Sequence, residues 1–260
     1  MSVAPVLAFA LLAAAATRIV SLAPSLTEDL FAIGAGPRVV GVDAFSDRPA
    51  RARSLPRVGT LNTVNAEAIV ALRPDLVVGI TYEAAQLNDV ARAGVRTLTL
   101  RVDDLAGDFA AIAQLGRETG RASQAQALIA SMRARLARNA HRAALRRPLR
   151  AFVAIGRDPI VTAGAGSYVD DLLRAANLAN VAGAARTPWP EFSAERLLAA
   201  QPDLIIVPES ATQFTGEPWA RLRAVRAGHI VRVPDDDLLR PGPRVPDAVE
   251  ALVTQAARWR

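Results

Sequence analysis

Cysteine is missing from all 260 residues, which excludes disulfides, thiol chemistry, cysteine-ligated metal centres and a lipid anchor carried on a cysteine. The compartment stays open, because exported proteins need no disulfide. Lysine is missing too, so all 31 basic residues are arginine. With abundant Ala, Gly and Pro, that bias is what GC-rich coding DNA produces, and the formal charge of +6 is a poor argument for a polyanionic partner. Aromatic residues make up only 5% of the chain, too few for the stacking platforms of RNA readers, and no nucleic-acid partner is expected.

Histidine is almost absent. His141 and His229 stand alone, neither with a partner three or four residues away, so no metal site is expected. No G-x-S-x-G elbow occurs, and Gly34, Gly36 and Gly41 miss the dinucleotide spacing and follow a helical pattern where a strand is required. No nucleophile, base and orienting group assemble, so neither an enzyme activity nor a cofactor is expected. Long apolar runs are also scarce. The longest, residues 3–16 (VAPVLAFALLAAAA), is too short to span a bilayer. Its length and small-residue ending fit a secretory leader over 1–16, although its start carries no Arg or Lys; a buried N-terminal helix is the alternative.

What the chain does have, it has twice. Residues 65–80, NAEAIVALRPDLVVGI, return at 193–209 as SAERLLAAQPDLIIVPE, aligned without a gap. In each copy apolar positions at helical spacing give way, at Pro-Asp, to a continuous β-branched and leucine run: a helix feeding a strand buried on both faces. Asn65 and Ser193 are good N-cap residues, and Glu67 and Glu195 follow in the first turn, where a carboxylate suits the helix dipole. A unit used twice, half a chain apart, implies two lobes with a ligand cleft between them.

Around these copies the pattern alternates strand and helix, for which mostly parallel sheets are the default. Strands are expected at 18–22, 39–42, 95–100, 149–155 and 230–233, and helices at 26–33, 82–93, 168–178 and 247–259. Glu28 and Asp29 should lie in the first turn of one helix and Asp170 and Asp171 at the head of another. Gly164-Ala165-Gly166-Ser167 reads as a tight turn, and 235–246 as a loop with Asp235, Asp236 and Asp237 solvated. Residues 123–145 carry apolar positions at helical spacing with no Gly or Pro. A helix capped by Ser123 there would be about 34 Å long, enough to cross between lobes, with Arg133, Arg135, Arg138, Arg142 and Arg146 as a solvated face. Phe45, Tyr82, Trp189 and Trp219 sit near strand ends, where open α/β sheets hold ligands.

The phrases RIVSLAPSLTEDLFAIGAG, VVGVDAFSDRP, the repeated pair and TPWPEFS closely resemble the cobalamin-type periplasmic binding proteins of ABC importers, a group that also carries siderophores and haem. The resemblance covers nearly all of 17–258. It implies two α/β lobes with mostly parallel sheets (17–120 and 148–260) joined by one long rigid helix (121–147), a periplasmic location, and a monomer that delivers a small-molecule metal chelate to a membrane permease. It places Glu67 and Glu195 in arginine pockets of that permease. It implies ligand contacts at Phe45, Leu61, Tyr82, Trp189, Asp236 and Arg240, with Leu61 and Ile80 standing where the family carries aromatics. Cobalamin or another corrinoid is the expected ligand. For haem, Tyr82 is the available iron ligand; for an anionic siderophore, Arg48, Arg240 and Arg244 are the available cations.

Overall fold

The computed structural model describes residues 15–60, 63–156, 158–211 and 216–259. The expected leader therefore lies outside the described residues, apart from Ala15 and Ala16. The chain runs β1 (Ile19–Ser21), α1 (Pro24–Ala32), β2 (Val39–Val42), α2 (Ala66–Ala71), β3 (Leu76–Ile80), α3 (Ala84–Arg92), β4 (Thr97–Leu100) and α4 (Leu105–Glu118). The long helix α5 (Ala122–Ala144) follows. Then come β5 (Leu149–Val153), α6 (Tyr168–Ala175), β6 (Leu178–Asn180), α7 (Ala194–Ala200), β7 (Leu204–Pro208), α8 (Arg223–Arg226), β8 (Ile230–Val233), α9 (Asp235–Leu239) and α10 (Val245–Ala256).

The strands form two four-stranded parallel sheets, ordered β2-β1-β3-β4 and β6-β5-β7-β8. The second order is the first with every strand number raised by four, so the duplication read from one helix-strand unit extends to the whole sheet. Strands β3 and β7, the two copies of the apolar run, are interior in both sheets, and every residue from Leu76 to Gly79 and from Leu204 to Pro208 is buried. The caps also form as expected: Asn65 Oδ1 accepts from the Ala68 N–H (2.9 Å) and Ser193 Oγ from the Arg196 N–H (3.2 Å).

Helix α5 packs on α4 of the first lobe and on α6 and α10 of the second, so it does bridge the two. It approaches α4 closely enough that a Cβ on Gly116 would meet the Ala125 Cβ at 2.5 Å. One continuous apolar cluster runs through both lobes, from Ile19 and Leu26 through Met132 to Leu172 and Leu252. The lobes share a core instead of merely touching.

Five local expectations change. Helix α1 begins at Pro24, which suits a first helical turn, so Glu28 and Asp29 fall in its second turn and are buried. Helix α5 starts at Ala122, and Ser123 does not cap it. Its arginine side is not wholly solvated: Arg135 pairs with Asp247, Arg142 Nη1 lies 3.2 Å from Glu250, and Arg133 stacks over Phe109 at 5.0 Å. Residues 235–239 are helix α9, because the three aspartates suit the positive end of its dipole. The helix expected over 168–178 ends at Ala175, and the strand β6 that begins at Leu178 is too short to show a periodicity of its own.

Candidate ligand-binding site

Because both sheets are parallel, each collects its loops at the carboxyl ends of the strands, where open α/β folds hold ligands. A cavity of about 400 Å³ lies where the two sets of loops meet. From the first lobe it takes Ala23–Ser25 after β1, Phe45 after β2, Ile80 at the end of β3, and Val102 and Asp103 after β4; from the second it takes Tyr168, Trp189 and Leu239–Pro241. A wider hollow of about 810 Å³, with Asp158, Glu191 and Glu217 on its wall, belongs to the second lobe alone.

Phe45 from the first lobe and Trp189 from the second line this cavity as half-exposed aromatics, 48% and 49% accessible, and leave uncovered apolar area on its wall. Phe45 is held by a buried polar network. Its N–H donates to Asp43 Oδ2 (2.8 Å), Ser46 Oγ donates to the other Asp43 oxygen, and the Ser46 hydroxyl shares a hydrogen bond with Thr27 Oγ1 (2.8 Å). Arg57 Nη1 ties the same loop down by donating to the carbonyls of Asp43 (2.8 Å) and Ser46 (2.7 Å). Burial pushes the Asp43 carboxyl up, against the pull of Ser46, Phe45 and two guanidinium groups.

Trp189 stands on a different support. The segment around it pairs with residues 160–164: Gly164 N–H donates to Pro188 O (2.8 Å), Thr162 N–H to Pro190 O (3.1 Å) and Phe192 N–H to Ile160 O (2.9 Å). Prolines on both sides of Trp189 restrict its backbone, and Gly164 is required because a Cβ there would sit 2.3 Å from Thr187 O. Tyr168, at the head of α6, was not anticipated. It follows the Gly-rich turn, where Ser167 Oγ caps the helix by accepting from Asp170 N–H (3.1 Å). Its hydroxyl points at the carbonyls of Asp237 (3.3 Å) and Arg240 (3.2 Å), and burial, reinforced by Asp108, keeps the phenol neutral.

The charged rim joins the lobes. Arg240 Nη1 lies 3.0 Å from Asp47 of the first lobe and its Nη2 lies 2.8 Å from Asp236. The other Asp236 oxygen meets Arg48 Nε at 3.4 Å. Partial burial works to raise the Asp47 carboxyl, but the hydrogen bond and charge of Arg240, the residue's own backbone N–H and the charge of Arg48 together outweigh it and hold the group below its ordinary range. Arg244 makes a bidentate pair with Glu28 (2.7 and 2.9 Å) and a further contact with Asp237. All three arginines available to an anionic ligand are thus already engaged by carboxylates.

Of the anticipated contacts, Phe45, Trp189 and Arg240 come together on the cavity wall. Asp236 stands behind Arg240, off the wall, and Tyr82 is 68% exposed in a turn beyond β3, also off the wall. Leu61 lies outside the described residues. Trp219 is core: it is fully buried, its ring centroid 6.4 Å from that of Phe152. His229 packs its ring on Trp259 (5.0 Å), a structural role, and no group of three or more potential metal ligands occurs among the described residues.

Glu67 and Glu195 are exposed in the first turns of α2 and α7. Each helix must run back from the carboxyl end of one parallel strand to the amino end of the next, so both helices start at the cavity end of their sheets. The two carboxylates therefore mark the same end of the molecule, one on each lobe. The Glu195 carboxyl is held below its ordinary range by its own backbone N–H and by the Ser193 hydroxyl.

Residues 19–236 match the family described as periplasmic binding protein. The vitamin B12-binding protein of Vibrio cholerae is 31% identical over 248 residues, covering 92% of this chain and 88% of that one. The crystal structure of the Vibrio cholerae periplasmic vitamin B12 binding protein BtuF superposes with a TM-score of 0.75 at 29% identity, covering 94% and 97% of the two chains. A periplasmic haem binding protein from Pseudomonas aeruginosa superposes with a TM-score of 0.82 at 29% identity, covering 94% and 93%. The superpositions extend the likeness over both parallel α/β sheets and nearly the whole chain: the chain belongs to the periplasmic binding protein family, whose members bind solutes and are not enzymes.

Proposed function

We propose that this chain is the periplasmic, monomeric carrier of an ABC importer, which holds cobalamin or a related corrinoid between its lobes and hands it to a membrane permease. The working units are a leader over 1–16, lobes at 17–120 and 148–260, and a connecting segment at 121–147. The observation that carries the reading is the cavity wall itself: one half-exposed aromatic from each lobe, Phe45 and Trp189, set over an apolar floor of Ala23, Ile80, Val102 and Leu239. Such a wall suits the two faces of a large flat ring, with Arg240 as a polar contact at its edge and Asp236 orienting that arginine. The similarity to B12-binding relatives supports the same ligand. Haem is the second reading, favoured by the Pseudomonas aeruginosa relative; Tyr82, exposed near the end of β3, is the side chain available to its iron.

Delivery falls to Glu67 and Glu195. One exposed carboxylate on each lobe, both at the cavity end, gives a two-point contact for arginines on a permease and fixes the carrier's orientation over the pore. The test is Glu67→Ala combined with Glu195→Ala. Tryptophan fluorescence titration with cyanocobalamin should give the same affinity as the parent chain, while uptake in cells carrying the cognate permease is lost. Retained uptake by the double variant rules out the docking role, and no response of the parent chain to micromolar cyanocobalamin moves the ligand to haem.

A further inference from the structure

We infer that Asp47 is a specificity-determining residue: by reaching across the lobes to Arg240 it cancels the cation that faces the cavity, and so favours chelates without free carboxylates over those that carry them. The inference rests on the ligand site proposed above.

Arg240 is the one cation on the cavity wall among the described residues. Its two terminal nitrogens are each taken by a carboxylate, Asp47 at 3.0 Å and Asp236 at 2.8 Å, and Asp236 also meets Arg48 at 3.4 Å. Two guanidinium groups and two carboxylates sum to no net charge. The other charged side chain on the wall, Asp103, lies 3.8 Å from Arg101. An incoming carboxylate therefore meets no uncompensated cation, and to reach Arg240 it must displace Asp47 or lie beside it as a like charge. A ligand without free carboxylates meets no such barrier.

The pair spans 193 residues of sequence and joins the loop after β2 to the end of α9. Asp47 sits two residues beyond Phe45, on the loop fixed by the Asp43, Ser46 and Arg57 contacts, so its position does not depend on the ligand. It acts through Arg240 and need not touch the ligand itself.

The test compares the parent chain with Asp47→Asn and Asp47→Glu, using cyanocobalamin and haemin, which carries two propionates, as probes. The readout is the ratio of haemin to cyanocobalamin affinity, from tryptophan fluorescence and haemin absorbance. Asp47→Asn frees Arg240 and should raise that ratio on the order of tenfold, as one charge interaction at a partly exposed site would. Asp47→Glu should restore the parent ratio. Should Asp47→Asn fail to fold, Asp236→Asn frees the same guanidinium from its other side and must shift the ratio the same way. An unchanged ratio in a folded variant overturns the role of Asp47 while leaving the ligand reading intact. A parent chain that binds neither probe overturns the ligand reading and the inference with it.

Discussion

Two clusters of charge lie between the lobes, and they follow opposite rules. At the cavity rim, Arg48, Arg240, Asp47 and Asp236 balance, and each is partly open to water. Around α1 and α4 the sum does not balance. Arg244 is shared between Glu28 and Asp237, while Asp29 and Asp108 are fully buried with no side-chain hydrogen-bond partner for their carboxyl oxygens among the described residues. Burial, then the neighbouring Asp108 and Glu28 carboxylates, drives the Asp29 carboxyl well above its ordinary range. Burial alone lifts Asp108 to about 7, against the opposing influence of the Gly242 N–H. On the inference drawn above the rim answers to ligand charge and salt, whereas burial makes the inner cluster the one that answers to protons.

The largest effect is expected at the residue that holds the inner cluster together. Arg244→Met leaves Glu28 and Asp237 facing two buried acids with no cation, and should cost about 3 kcal/mol of stability at pH 7 by urea denaturation. A loss under about 1 kcal/mol would mean that water, not Arg244, solvates those carboxylates.

Next comes the acid pair. The unfolded chain releases the Asp29 and Asp108 protons near pH 4, whereas the folded chain keeps the Asp108 proton to about pH 7. The stability linked to Asp108 is fully present below about pH 4, falls as pH rises towards 7 and levels off above it, and Asp29, raised in the same direction, adds a slope of the same sign. Glu83, which burial lifts to about 7 against its hydrogen bond from the Ile80 N–H, adds a slope of the same sign. Asp29→Asn removes one of the trapped protons and offers Asp108 a donor. It should raise stability at pH 8 by about 1 to 2 kcal/mol and flatten the slope between pH 4 and 7, both read from thermal melts across pH. An unaltered slope would mean that folding does not hold the Asp29 carboxyl above its ordinary range.

The smallest effect belongs to the rim. With Asp47 and Arg240 open to solvent, Asp47→Asn should change stability by less than about 1 kcal/mol, and 0.5 M salt should shrink even that difference. A larger loss would turn the rim into a structural clasp and erase the contrast between the clusters.

Much of this molecule was legible in its sequence because its main signals are local. The helix-to-strand switch at Pro74-Asp75 and at Pro202-Asp203, the Asn65 and Ser193 caps, and the unbroken helical spacing of α5 each depend on neighbours within a turn or two. The two-lobe reading and the parallel sheets then follow from meeting that local unit twice, half a chain apart. Which aromatic faces a ligand is not a local property. Phe45, Trp189 and Trp219 all flank strands, yet Trp219 is packed against Phe152 while the other two stay open, because only the pairing of 188–192 with 160–164 and the Asp43 network decide which side chains turn outward. The same holds for charge. Composition counts arginines and aspartates, but partners separated by 193 residues, such as Asp47 and Arg240, meet only after the lobes close on a shared core. The burial that neutralises Asp108 likewise exists only in the packed state, since a carboxyl's proton affinity is set by the water and charges around it, not by its place in the chain.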